Sequence, residues 1–500
     1  MKNLVRLFAS ALLLALTAAL CACGSGFSDS EEDLSRAAGL IADADDITNA
    51  IPDIKCTYSY LATGTVNEAE YSLGYRNIFI MTGRGTEGFA ANRYNYYYGT
   101  SSTLTATYNY YGGRLYSEYC DTLFCSPMSE EEFLEYTDSA SYALDREIFD
   151  PASFGSVSVK EDGDKPSEII FKDENGTVSQ MIAEFFGFDD TSYSYEIKDI
   201  SMTVKFSETG AISEKLITFT AEYSDTGSPD KKIIYEGNFA FTVDSTSDVS
   251  VTAPDTQNAN EISSMELVDG FSDKAYGVLS TFTTLDATYD RYVRNSDYTG
   301  KEYILDNFVH FTEAYRDNTY YYGSIDSQRL KTPEFDETVS NGIFIDENGF
   351  HSRSTDSEDV NNAEKPYSDL DFITMVFQTL SGERSLEGDM TNLRVTETED
   401  TIVYTYSFTD EAVRFYGEYL LASFTESGSN VSLESQSYFC EKNESVITVR
   451  KSDGCIISHT VDYNTVFGGS LRLETKFEMT VNATGDDVTV LTLEDWEIRS

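Results

Sequence analysis

Between Ile200 and Pro254 the chain places apolar residues on alternate positions: Ile200, Met202, Val204 and Phe206, then Ile217, Phe219, Ala221 and Tyr223, then Tyr235, Phe239, Phe241 and Val243. A period of two turns one side of each strand into a core and leaves the other wet, so this stretch reads as a closing β-meander. A degenerate copy ends the chain, at Ile447, Val449, Ile457, Val461, Tyr463, Leu471, Leu473, Phe477, Met479 and Val481. Such a run late in each half predicts two similar domains in tandem. The length of 500 residues agrees, because it is too great for one ordinary core. Hydrophobic content of 40%, with 35 tyrosines and only 8 prolines, favours strands over disorder or helical bundles.

Other segments recur in order. Ser30–Ile47 reads as an acidic amphipathic helix, and Met265–Leu285 as its counterpart. Tyr96-Tyr97-Tyr98-Gly99 returns as Tyr320-Tyr321-Tyr322-Gly323, and Gly342–Ile345 echoes Gly113–Tyr116. Ser129 opens a helix whose Glu132 can complete a capping box, and Ser368 opens its match. A strand and short helix over 169–186 are repeated by strand Ile402–Phe408 and a helix capped by Thr409. Phe241-Thr242-Val243-Asp244 returns as Met479-Thr480-Val481-Asn482. The expected architecture is a β-dominated α+β fold of two tandem domains, 33–254 and 265–500, joined by a polar linker at 255–264.

The N-terminus is an address. A short basic start, Met1–Arg6, precedes the apolar run Leu7–Leu20, too short for a comfortable membrane span. Leu20-Cys21-Ala22-Cys23-Gly24 resembles a bacterial lipobox, which makes 1–22 the signal peptide, Cys23 the lipidated residue and 23–32 a tether. The implied location is the cell membrane, on its extracytoplasmic face, with the lipid anchor as the membrane contact. Two or three acyl chains hold such a protein stably at ~0.8 kcal/mol per buried methylene. Five cysteines follow Cys23. Cys120 with Cys125, and Cys440 with Cys455, could form bridges or stay reduced, and an odd number leaves one over.

Helix, antiparallel strands, capped helices and a closing meander, in that order in each half, are similar to the LolA/LppX-type lipoprotein fold. The resemblance implies a strongly curved antiparallel sheet that wraps helices and leaves an apolar cavity. It implies a lipid or other hydrophobic ligand there, with Phe239, Phe241, Phe477 and Met479 as candidate lining. The chain departs from single-domain carriers in being doubled and acidic.

Catalysis finds little support. The three histidines, His310, His351 and His459, are scattered, and no zinc-type spacing, nucleophile elbow or phosphate loop with Lys-Ser/Thr occurs. His459 shares register with Ile457 and Val461 and reads as a core residue. Gly83-Arg84-Gly85-Thr86-Glu87-Gly88 has dinucleotide spacing, but a strand follows where a helix is needed. Asp173–Gly176 and Asp346–Gly349 read as hairpin turns rather than calcium loops. No catalytic residue, cofactor or metal site is therefore expected. The net charge of −51 disfavours nucleic acid and anionic headgroups as partners. Two roles remain: a non-enzymatic anchored protein that binds a lipid or hydrophobic ligand, or a surface interaction or structural lipoprotein with filled cores and an acidic outer face.

Overall fold

The structure, a computed structural model, describes residues 27–499 apart from 67–68, 99–101, 140–145, 163–164, 187–192, 226–231, 280, 283, 297–300, 317–318, 348, 356, 364–386 and 425–436. The expected Ser368 helix and Cys23 lie outside the described residues. Residues up to Ser117 with Pro127–Thr256 form one compact unit, and Glu118–Ser126 with Gln257 onward form a second.

In the first half, helix α1 (Glu31–Asn49) precedes β1 (Ile54–Val66), β2 (Ala69–Thr82), β3 (Ala90–Tyr98), β4 (Ser102–Tyr110), β5 (Arg114–Tyr119) and β6 (Thr122–Pro127). Then come α2 (Glu130–Tyr136), the hairpin β7 (Ser156–Asp162) and β8 (Lys165–Lys172), and α3 (Thr177–Phe186). The meander of β9 (Tyr193–Phe206), β10 (Ile212–Asp225) and β11 (Lys232–Ser245) closes it. Strands of the first unit lie in the order β5-β4-β3-β2-β1-β11-β10-β9-β8-β7. The closing strand thus returns to pair with the first, with Tyr58 opposite Phe241.

The second half begins with β12 (Asn260–Glu261), which pairs in parallel with Phe124–Cys125 of β6. Helix α4 (Phe271–Leu279) leads into β13 (Thr284–Ser296), β14 (Glu302–Arg316), β15 (Thr319–Lys331), β16 (Asp336–Asp346), β17 (Gly349–Ser354) and β18 (Ser357–Ala363). After β19 (Met390–Glu397) and β20 (Thr401–Phe408) come α5 (Asp410–Phe424), β21 (Tyr438–Arg450), β22 (Ile456–Phe467), β23 (Leu471–Thr484) and α6 (Leu493–Arg499). The order β18-β17-β16-β15-β14-β13-β23-β22-β21-β20-β19 repeats that of the first sheet. The fold is β-dominated α+β: two tandem domains, each a curved, open antiparallel sheet packed against a few helices.

Register fixes which repeats are true equivalents. Tyr58, Phe241 and Lys215 stand opposite one another in the first sheet. Tyr289, Met479 and His459 do so in the second, so the Phe241 and Met479 segments correspond. The tyrosine triplets do not, because Tyr96–Tyr98 closes β3 whereas Tyr320–Tyr322 opens β15. Gly113 precedes β5 and Gly342 lies within β16, so that echo is compositional too.

Close approaches shape each sheet. A Cβ on Gly237 would lie 2.0 Å from the Phe219 ring, so the missing side chain lets that ring lie across the neighbouring strand. In each unit the chain also straps back over the outer face seven residues past its closing strand. Thr252 exchanges hydrogen bonds with buried Asn92, at 2.7 and 3.0 Å, and the Leu491 N–H donates to buried Thr312 at 2.7 Å.

Several local expectations change. Asp173–Gly176 is not a hairpin turn but the start of α3, where Asp173 accepts from the N–H groups of Gly176 and Ser179. Asp346–Gly349 does join two paired strands, β16 and β17. The expected Met265–Leu285 helix is one 3₁₀ turn and the shorter α4, because β13 already claims Thr284 and Leu285. None of the five described cysteines is in a disulfide. Cys440 and Cys455 sit at opposite ends of β21, since Cys440 faces Thr465 while Val449 faces Ile456, and no bridge spans a strand's length.

Candidate functional site

On the inner face of the first sheet, β1, β2 and β3 place Tyr60, Tyr75 and Tyr97 in one row, and Phe239 of β11 stands opposite Tyr60 on the other side. Helix α3 brings Phe185 and Phe186 onto this row. The Phe185 ring lies 4.6 Å from Tyr60 and 5.1 Å from Phe239, with Phe186 5.7 Å from Phe219. Tyr75 continues the layer, 5.3 Å from both Tyr60 and Tyr97. These edge and tilted contacts suit ring quadrupoles. The floor is shielded, with Phe239 at 1% and Phe219 at 3% exposure, but Phe185 is 49% and Tyr75 40% exposed.

The four candidate lining residues are all shielded. Phe239 and Phe241 of the first unit are 1% and 0% exposed, and Phe477 and Met479 of the second are 4% and 0%. The structure brings Phe239 into the aromatic layer. Phe477 instead packs on Tyr289 at 5.7 Å and on His459 at 5.3 Å. Sequence reading missed Phe185, Phe186 and Tyr60, because helix and strand periods must be superposed to see that they meet.

Other motifs resolve into structure. The Gly83–Gly88 segment joins β2 to β3, with Gly83 and Gly85 in the left-handed region. Carboxylates already occupy its N–H groups: Gly83 donates to Asp53 at 2.8 Å and Gly85 to Glu130 at 2.9 Å. Beside it lies an open cleft of about 700 Å³ lined by Asn49, Ala50, Arg84, Glu130, Leu134 and Glu135 among others. His459 is fully buried, with Tyr276 at 2.6 Å on Nδ1 and Tyr406 at 3.1 Å on Nε2. Burial pushes its pKa down to about 3, so the ring is a neutral core group. Burial likewise pushes the Cys56 and Cys455 thiols up, which keeps them protonated. Among the described residues no His, Cys, Asp or Glu cluster is placed to hold a metal ion, and no helix is long and apolar enough to cross a membrane.

No family model and no curated protein matches the chain. Among solved structures, LprF from Mycobacterium bovis is 8% identical, with 44% of this chain and 94% of that chain covered at a TM-score of 0.23. A mutant porin of Rh. blastica is 8% identical over 86% of this chain and 100% of its own, with a TM-score of 0.11. The isotype 1 transferrin binding protein B of Neisseria meningitidis serogroup B is 8% identical over 86% and 77%, with a TM-score of 0.12. At such TM-scores these likenesses bear on neither fold nor function.

Proposed function

We propose that the protein is a non-enzymatic lipoprotein of the extracytoplasmic membrane face, anchored through Cys23, which binds a lipid or other hydrophobic molecule on the aromatic layer of its first unit. The observation that carries this is the exposure of Phe185 and Tyr75 above a floor of shielded rings. Covering such rings is worth ~25 cal/mol per Å² of apolar surface removed from water, without a polar contact. Phe239 supports the layer from below, while Phe241, Phe477 and Met479 hold the two sheets' cores. The second reading, a surface-interaction protein with filled interiors, is favoured by the shielding of those three residues and by the net charge of −51.

A neutral environment-sensitive dye, N-phenyl-1-naphthylamine, separates the two readings when titrated into the Cys23→Ala chain. Saturable binding, weakened about fivefold or more by Phe185→Ala as lost ring contact requires, supports the ligand reading. Absence of binding, or equal binding by the variant, overturns it in favour of the second.

A further inference from the structure

We propose that the ligand of the first unit is an anionic amphiphile whose carboxylate or phosphate head pairs with Arg93 while its hydrocarbon lies along Tyr75, Tyr97 and Tyr60. This rests on the hydrophobic-ligand reading and names the chemical class that the site takes. Arg93, Asn95 and Tyr97 alternate along β3 and therefore share a face. Opposite them on β2 stand Phe79, Asn77 and Tyr75, and beyond those on β1 stand Cys56, Tyr58 and Tyr60. One strip of sheet thus runs from a guanidinium, through two asparagines, to the exposed end of the aromatic layer. The four-residue step from Arg93 to Tyr97 covers about 13 Å. Cation, polar belt and aromatic surface follow in the order that an amphiphile presents them.

Arg93 differs from many of the chain's arginines. Arg36, Arg294, Arg329, Arg450 and Arg472 each pair with a carboxylate. Arg93 has no carboxylate partner among the described residues, in a chain with 86 acidic and 35 basic residues. Its Nε donates to Asn95 at 2.9 Å, and its guanidinium lies 5.2 Å from the Phe79 ring centre. A guanidinium carries five donors in a fork matched to carboxylate and phosphate. Burial pushes its pKa down to about 10, and Arg146 adds repulsion. Arg146 itself lies over the Tyr58 ring at 5.6 Å and pairs with Asp138. An anion at Arg93 would relieve both penalties. The net negative charge opposes such a ligand only at long range, where salt screens it.

The test is calorimetric titration of the full Cys23→Ala chain with dodecanoate, dodecyl phosphate and dodecan-1-ol, which share a chain and differ in the head. The expected result is that at least one anion binds about tenfold more tightly than the alcohol, as a charge-assisted pair requires. Arg93→Met should abolish that preference. The stronger of the two anions identifies the head. If the alcohol equals both anions, or if Arg93→Met keeps the preference, the head assignment fails while the hydrophobic reading stands. If none of the three binds, both fail. Should Arg93→Met not fold, the anion–alcohol comparison on the parent chain still decides.

Discussion

Lys215 and His459 occupy the same register position in the two units, and each solves the burial of an ionisable group differently. Lys215 forms an ion pair with Asp45 of α1 at 2.9 Å. Removing one partner strands the other charge, whereas replacing both partners by apolar chains of similar volume removes the desolvation cost. Asp45→Ala should therefore lower unfolding free energy by about 3 kcal/mol, and the double variant Asp45→Leu with Lys215→Met should change it little, in urea titrations at pH 7. His459 remains neutral between two tyrosines. Its folded pKa of about 3 lies below the ordinary 6.5, so its contribution is whole above pH 6.5 and is lost as pH falls toward 3. The loss should reach about 1.4 kcal/mol per pH unit. His459→Gln should flatten the dependence between pH 6.5 and 4.5, and an unchanged slope would count against the assignment.

At the scale of elements, much was legible. Ser129 and Glu132 form the expected capping box, with the Ser129 N–H donating to Glu132 at 2.7 Å and the Glu132 N–H to Ser129 at 3.2 Å. Alternation in the closing ladders gave the strands, because each has one wet face. Asp173 was misread because Asp, Asn and Gly serve hairpin turns and helix starts alike. That cap matters, since α3 carries Phe185 and Phe186 onto the aromatic layer. Asp173→Ala should cost about 1 kcal/mol of stability and weaken dye binding together, whereas Asp53→Ala, far from α3, should leave dye binding intact. Arg93 left a faint trace in the sequence, as a lone cation sharing parity with Ala91 and Tyr97. That no carboxylate among the described residues pairs with it became legible only in the fold.

For the whole molecule, duplication was readable from the two closing meanders, and the shared strand order agrees with it. Triplet matches such as Tyr96–Tyr98 with Tyr320–Tyr322 were composition, because tyrosine-rich strands resemble one another in any register. Disulfides were unreadable from spacing, since Cys440 and Cys455 are separated by a strand rather than a turn. The proposed localisation rests on the resemblance of Leu20–Gly24 to a lipobox, and Cys23→Ala should shift the protein from the membrane fraction to the medium, as immunoblotting of the two fractions would report.

The central claim, that the first unit carries a hydrophobic ligand on the Phe185 layer, is tested most directly by native mass spectrometry of the chain purified from its own cells. The prediction is a bound mass beyond the protein and its anchor, removed by organic solvent and missing from Phe185→Asp. A chain of protein-plus-anchor mass alone, under conditions that keep it folded, would contradict the account.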